Sequence, residues 1–263
     1  MRKLLVIIRK EWAEVFKNRL VLFTVGFLPI IMTALPLITL FVSGSTEEMI
    51  GMTEADLPSR FSDLCSGLSA ASCGQYFIVS QFMMLFMLMP LAIPVTIASY
   101  SIVGEKTTRT LEPVLATPIK TWELLVGKGL AAGIPAGLAT WLSFLIFIVG
   151  ATFLAAGPDL VRRLLDPLWL VAVFIVGPLL AVAAISVAVM VSSRANDPRV
   201  AEQLSMLVLI PLLGLFFAQI AGLVYIDRMV IIWIALGVAA LDLVLGYFAV
   251  VLFQREAILT RWQ

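Results

Sequence analysis

Few residues in this chain of 263 could do chemistry, and their types limit what that chemistry is. Histidine is absent, which removes the usual general base, the commonest zinc ligand and any serine-histidine dyad. Asp242 is the one ionisable side chain expected inside the long apolar runs. There a carboxyl either binds a cation or takes up a proton, or it is structural, accepting hydrogen bonds from groups such as Thr96 or Gln219 or staying protonated. A second intramembrane acid is missing, so two-aspartate proteolysis is excluded. Cys65 and Cys73 have no base beside them and do not read as nucleophiles. A phosphate-binding GxxxxGK[ST] loop is also missing: the residue five before Gly127-Lys128 is Trp122, and Gly129 follows. No cofactor, metal or catalytic residue is expected, and the chain does not read as an enzyme.

The elements that position these residues are membrane spans. Apolar residues make up 61% of the chain and charged residues 13%, with a mean hydropathy of +1.06, far from the roughly even balance of soluble domains. Six apolar stretches are long enough to cross a bilayer: Leu20 to Val42, Tyr76 to Val103, Gly129 to Ala156, Leu168 to Val191, Leu204 to Ile226 and Met229 to Phe253. Continuous runs of this kind exclude a β-barrel, which needs short segments of alternating polarity. The expected fold is therefore an all-α integral membrane bundle of six spans over residues 20–263. Residues 1–19 are set apart in front of it.

Lysine and arginine give the orientation. The N-terminal arm, the segment between spans two and three, the segment between spans four and five and the C-terminal tail hold 14 of the 18, against Arg60, Arg162, Arg163 and Arg228 on the other side. The richer side is expected to be cytoplasmic, with both termini inside a plasma (inner) membrane. Arg9 and Lys10 interrupt the first short apolar run, so no cleaved signal is expected there. A net charge of +1 gives no basic field for nucleic acid. The one sizeable outer segment, 43–75, is acidic and holds both cysteines, which an oxidising compartment would join. That loop reads either as a cap over an exit pathway or as a stapled loop with little core of its own.

The arm places Leu4, Leu5, Ile8, Trp12, Val15 and Phe16 on one helical stripe and most of its charges on the other, which predicts an amphipathic interfacial helix. In the segment 104–128, Thr110 can cap a turn through Pro113, and Thr117 can cap a second helix opened by Pro118. Span three opens with Gly129, Gly133 and Gly137, two overlapping GxxxG steps that permit close helix approach within the bundle or between subunits. Pro90, Pro94, Pro135, Pro178 and Pro211 each free a backbone carbonyl and can bend a span.

The run Gly104-Glu105-Lys106, Thr110-Leu111-Glu112, Leu115-Ala116-Thr117-Pro118 and Glu123 to Lys128 resembles the signature of type 2 (exporter) ABC transporter permeases. The six spans and the arm with Lys10-Glu11 are similar too, although Arg109 stands where such permeases commonly have glycine. The resemblance implies that the segment between spans two and three is a coupling helix seated on a separate ABC ATPase subunit, two copies per transporter, with Glu105, Arg109, Glu112, Lys120 and Glu123 as its polar contacts. It implies a second permease copy, identical or not. Spans this apolar favour a hydrophobic or amphipathic cargo such as a lipid, drug or peptide. Sodium is the alternative within the family, and an ATP-independent carrier or channel the alternative outside it.

Overall fold

The computed structural model describes residues 2–45, 70–108, 121–155, 157–224 and 226–252, and every regular element among them is helical. A short helix α1 (Arg2–Val15) turns through three residues into α2 (Arg19–Ser45), the first span. The second span is α3 (Ala70–Leu85) continued by α4 (Met89–Thr107), and the third is α5 (Thr121–Leu154). The fourth joins α6 (Pro158–Leu164), α7 (Pro167–Val171) and α8 (Gly177–Ser192); the fifth joins α9 (Pro198–Ser205) and α10 (Ile210–Ile220); α11 (Arg228–Leu252) is the sixth. All six are long and apolar enough to cross a membrane.

Three proline positions explain where the helices lose regularity. A 3-10 turn at Phe86–Leu88 precedes Pro90, a second at Met206–Leu209 precedes Pro211, and a π turn at Ala172–Val176 precedes Pro178. Proline has no N–H for the carbonyl four residues back, and its ring crowds that carbonyl. The chain adapts with the bond one residue shorter, Met89 to Phe86 and Ile210 to Leu207, or one longer, Gly177 to Ala172. Pro94 and Pro135 lie inside α4 and α5 without such a break.

Span boundaries differ from the hydropathy reading for local reasons. Span five stops at Ile220, not Ile226, because Gly222 adopts a φ of 70° and closes a Schellman cap: its N–H reaches the Gln219 carbonyl at 3.0 Å and that of Leu223 reaches Ala218 at 2.9 Å. The same span starts at Pro198, not Leu204, where Asp197 caps the helix through the Arg199 N–H at 2.7 Å. Glu202 therefore falls within a span, and Asp242 is not the sole ionisable side chain there. Span four begins at Pro158 rather than Leu168, and the Asp166 carboxylate restarts the helix by accepting from Leu168 N–H at 3.0 Å.

Span two is the axis of the bundle. Its helix α4 packs against α8, α5 and α9, and Met83, Phe86, Met89, Leu91 and Ile93 are fully enclosed. Phe86 meets Phe147 at 5.5 Å and Phe144 edge-on at 6.4 Å, tying the middle of span two to span three. Spans one, five and six turn most of their apolar surface outward, as Phe23, Phe217, Trp233 and Leu243 show. A soluble protein does not leave such faces exposed, whereas hydrocarbon covers them at no cost.

Candidate functional site

A cluster of charged side chains gathers at the α1 end of the bundle. Ile7, Ile8, Glu11 and Val15 form the buried stripe of α1, so the inward face carries a carboxylate, while Leu5 of the expected apolar stripe is 65% exposed. Trp12 donates its indole N–H to the Ala131 carbonyl at 2.9 Å, and Ile7 lies so close to Gly127 that a Cβ there would sit 2.8 Å from its methyl. The arm is thus docked on the base of span three.

At that contact Lys128 of α5, with its side chain only 2% exposed, reaches Glu11 of α1 at 2.7 Å and forms an ion pair with Glu105 of α4 at 2.8 Å. Ser101 accepts from Lys128 at 2.8 Å and donates to the second oxygen of Glu11. Lys10 bonds Glu105 and lies 3.5 Å from Glu14. Two lysines and two carboxylates, formally neutral together, therefore join three elements, with Lys128, Glu11 and Glu105 enclosed and Lys10 at the rim, 36% exposed. Burial alone would lower the Lys10 pKa, but the hydrogen bond and charge of Glu105, with Glu11 and Glu14 beside it, raise it above its ordinary value. Nearby, Lys106 donates to the Ala195 carbonyl at 3.0 Å, fastening the end of span two to the connection between spans four and five.

Of the expected coupling contacts, Glu105 is 4% exposed inside this network rather than on an open surface, because two lysines from neighbouring helices claim its oxygens. Glu123 is partly exposed on the first turn of α5. Arg109, Glu112 and Lys120 lie outside the described residues, as do the expected caps Thr110 and Thr117. Cys65 lies outside them too, while Cys73 is buried near the start of α3 and carries no free thiol.

A groove of about 500 Å³ runs along spans three, four and six just above the network. Gly129, Gly133 and Gly137 line it beside Ile185, Val189 and Ala249, and the π turn contributes Val173. Among the lining side chains Thr140 and Ser186 carry the hydroxyls, and Thr140 already donates to the Ala136 carbonyl at 2.8 Å. Among the described residues the glycine stripe therefore meets a side chain and not a helix backbone: a Cβ at Gly129 or Gly133 would touch Ile185 at 3.4 Å, and one at Gly137 would have nothing within 4 Å. The close approaches fall at Gly127 against Ile7 and at Gly150 against Leu37.

Membership follows from a comparison with known families. The family described as ABC-2 family transporter protein matches residues 5–226, most of the chain and all of the network. The chain belongs to the ABC-2 transporter family. No curated protein matches it. As an ABC-2 membrane component, the chain supplies the multi-pass membrane domain of an ABC transporter, and the family implies an ABC ATPase as partner.

Asp242, beyond the matched residues, lies in α11 with both carboxylate oxygens shielded and without a hydrogen-bond partner among the described residues. Neither expected partner serves it. Thr96 donates to Glu202 at 2.7 Å, and the Gln219 side-chain oxygen is itself without a partner among the described residues. Sequence reasoning missed Glu202 by placing it outside span five, and it did not assemble Glu11, Ser101 and Lys128 into one cluster. The available signal was a charge spaced with Ile7, Ile8 and Val15 on one helical stripe.

Proposed function

We propose that this chain is the permease subunit of an ABC exporter that moves a hydrophobic or amphipathic compound, driven by two copies of a separate ATPase subunit seated on the segment 104–128. The α1 end faces the cytoplasm of a plasma membrane in this reading, and a second permease copy completes the pathway. One observation carries the cargo class: the groove beside the base of span three presents hydrocarbon almost throughout, within the size range of small-molecule sites. A strongly hydrated cargo would find almost no replacement there for its water. Glu105, Arg109, Glu112, Lys120 and Glu123 remain the residues to test at the ATPase contact, with Glu105 acting from inside the network.

The test is affinity purification of the permease from its native membrane, followed by reconstitution with any ATPase recovered. The expected outcome is co-purification of an ABC ATPase and ATP-dependent movement of a fluorescent short-chain phospholipid across the vesicle membrane. Recovery of the permease alone, or movement indifferent to ATP, would sink this reading. Asp242 favours sodium as a second cargo reading, and Asp242→Asn with undiminished transport would remove it.

A further inference from the structure

We propose that Lys10, Glu11, Glu105 and Lys128 form a mechanical joint that makes α1, the end of span two and the start of span three one rigid unit, so that a push on the intervening segment moves all three together. The proposal rests on the ATPase-coupled reading and adds the route by which the force enters the bundle.

Placement is the first support. Glu105 lies in the last turn of α4 and Lys128 in the second turn of α5, so the two roots of the segment are bridged directly. Glu11 makes α1 the third arm of the same lysine, and Ser101 closes the path between them.

Stiffness is the second. The side chains of Lys128, Glu11 and Glu105 are 2%, 3% and 4% exposed, so parting any pair strands a buried charge that water cannot reach. The pair at the opposite end of the bundle, Arg228 with Asp166 at 3.2 Å, is 68% and 32% exposed and exchanges readily with solvent. Only the first arrangement resists sliding. Trp12 on Ala131 and Ile7 on Gly127 hold the same faces in register with groups that carry no charge.

The geometry supplies a lock as well as a lesion. A Cβ on Gly127 would lie 3.1 Å from that of Ile7, a few tenths of an ångström inside the roughly 3.5–4.5 Å a disulfide spans, so a slight outward shift of α1 brings the pair into range. Ile7→Cys with Gly127→Cys can therefore be oxidised to clamp α1 onto span three, with oxidant-treated wild type controlling for Cys65 and Cys73. The experiment uses the complete transporter, permease with its ATPase, in lipid nanodiscs, and reads the part of the ATP hydrolysis rate that depends on the permease.

The clamped variant is expected to keep that part of the rate, since parts that move as one lose nothing by being joined. Lys128→Met is expected to lose it while still holding the ATPase subunit. Loss of the rate on clamping, or its survival in Lys128→Met, would overturn the joint while leaving the transporter reading intact. If Lys128→Met does not fold, the clamp decides alone. If wild-type permease holds no ATPase, both readings fall.

Discussion

Lys128 sits where a helix leaves the apolar zone, and it is the residue through which the most structure passes. Its ammonium is shared between two carboxylates from different helices, so its removal leaves two like charges facing each other in a site that excludes water. Gly222 is a smaller case with a cleaner measurement. Its left-handed φ of 70° suits glycine, and Gly222→Ala is expected to lower stability by about 1–2 kcal/mol through backbone strain, seen as a lower midpoint of thermal unfolding. Lys10 gives a prediction in pH. Its pKa is raised on folding, so its stabilising contribution is fully present below the ordinary value of 10.5 and fades as pH rises through the folded value. The stability difference between wild type and Lys10→Met should stay level through the neutral range and shrink in strong base, and in acid once Glu105 takes up a proton. A difference that collapses near neutrality would contradict the pairing with Glu105.

At the scale of elements, proline decides where spans bend and glycine decides where they leave room. Each of the three irregular turns ends two residues before a proline, and the π turn lies in the wall of the groove, where Phe174 also packs on Trp141 at 5.7 Å. A Cβ added at Gly137 would have nothing within 4 Å, so Gly137→Leu should fold and assemble as wild type while filling the groove. The expected result is a loss of lipid-probe movement with an unchanged unfolding midpoint. Equal loss of both would mean that the glycine serves packing instead. Gly150 is the contrasting position, because a Cβ there would meet a Leu37 methyl at 2.5 Å; Gly150→Ala should cost about 1 kcal/mol by turning Leu37 from its rotamer, seen as a lower unfolding midpoint.

Over the whole molecule the charges divide between two faces. The α1 face carries the buried network and the opposite face the exposed Arg228 and Asp166 pair. A reporter fused at either terminus should be active only on the cytoplasmic side, and the non-reduced chain should show Cys65 joined to Cys73 by peptide mapping. Activity of either fusion outside would reverse the orientation. Six spans, their order and the family were legible in the chain, because hydrocarbon excludes charge and each span must satisfy its own backbone, which makes hydropathy a local signal. Legibility ended where the decision was not local. Whether Glu11 faces water or Lys128 depends on the angle at which α1 meets span three, and whether Gly137 meets a helix or an open groove depends on where span four lies. Chain order does not encode those distances. Which segments enter the membrane is thus written in the order of residues alone. Which of the charges at their ends are paired and enclosed is set by tertiary packing, since that burial comes from helices far apart along the chain.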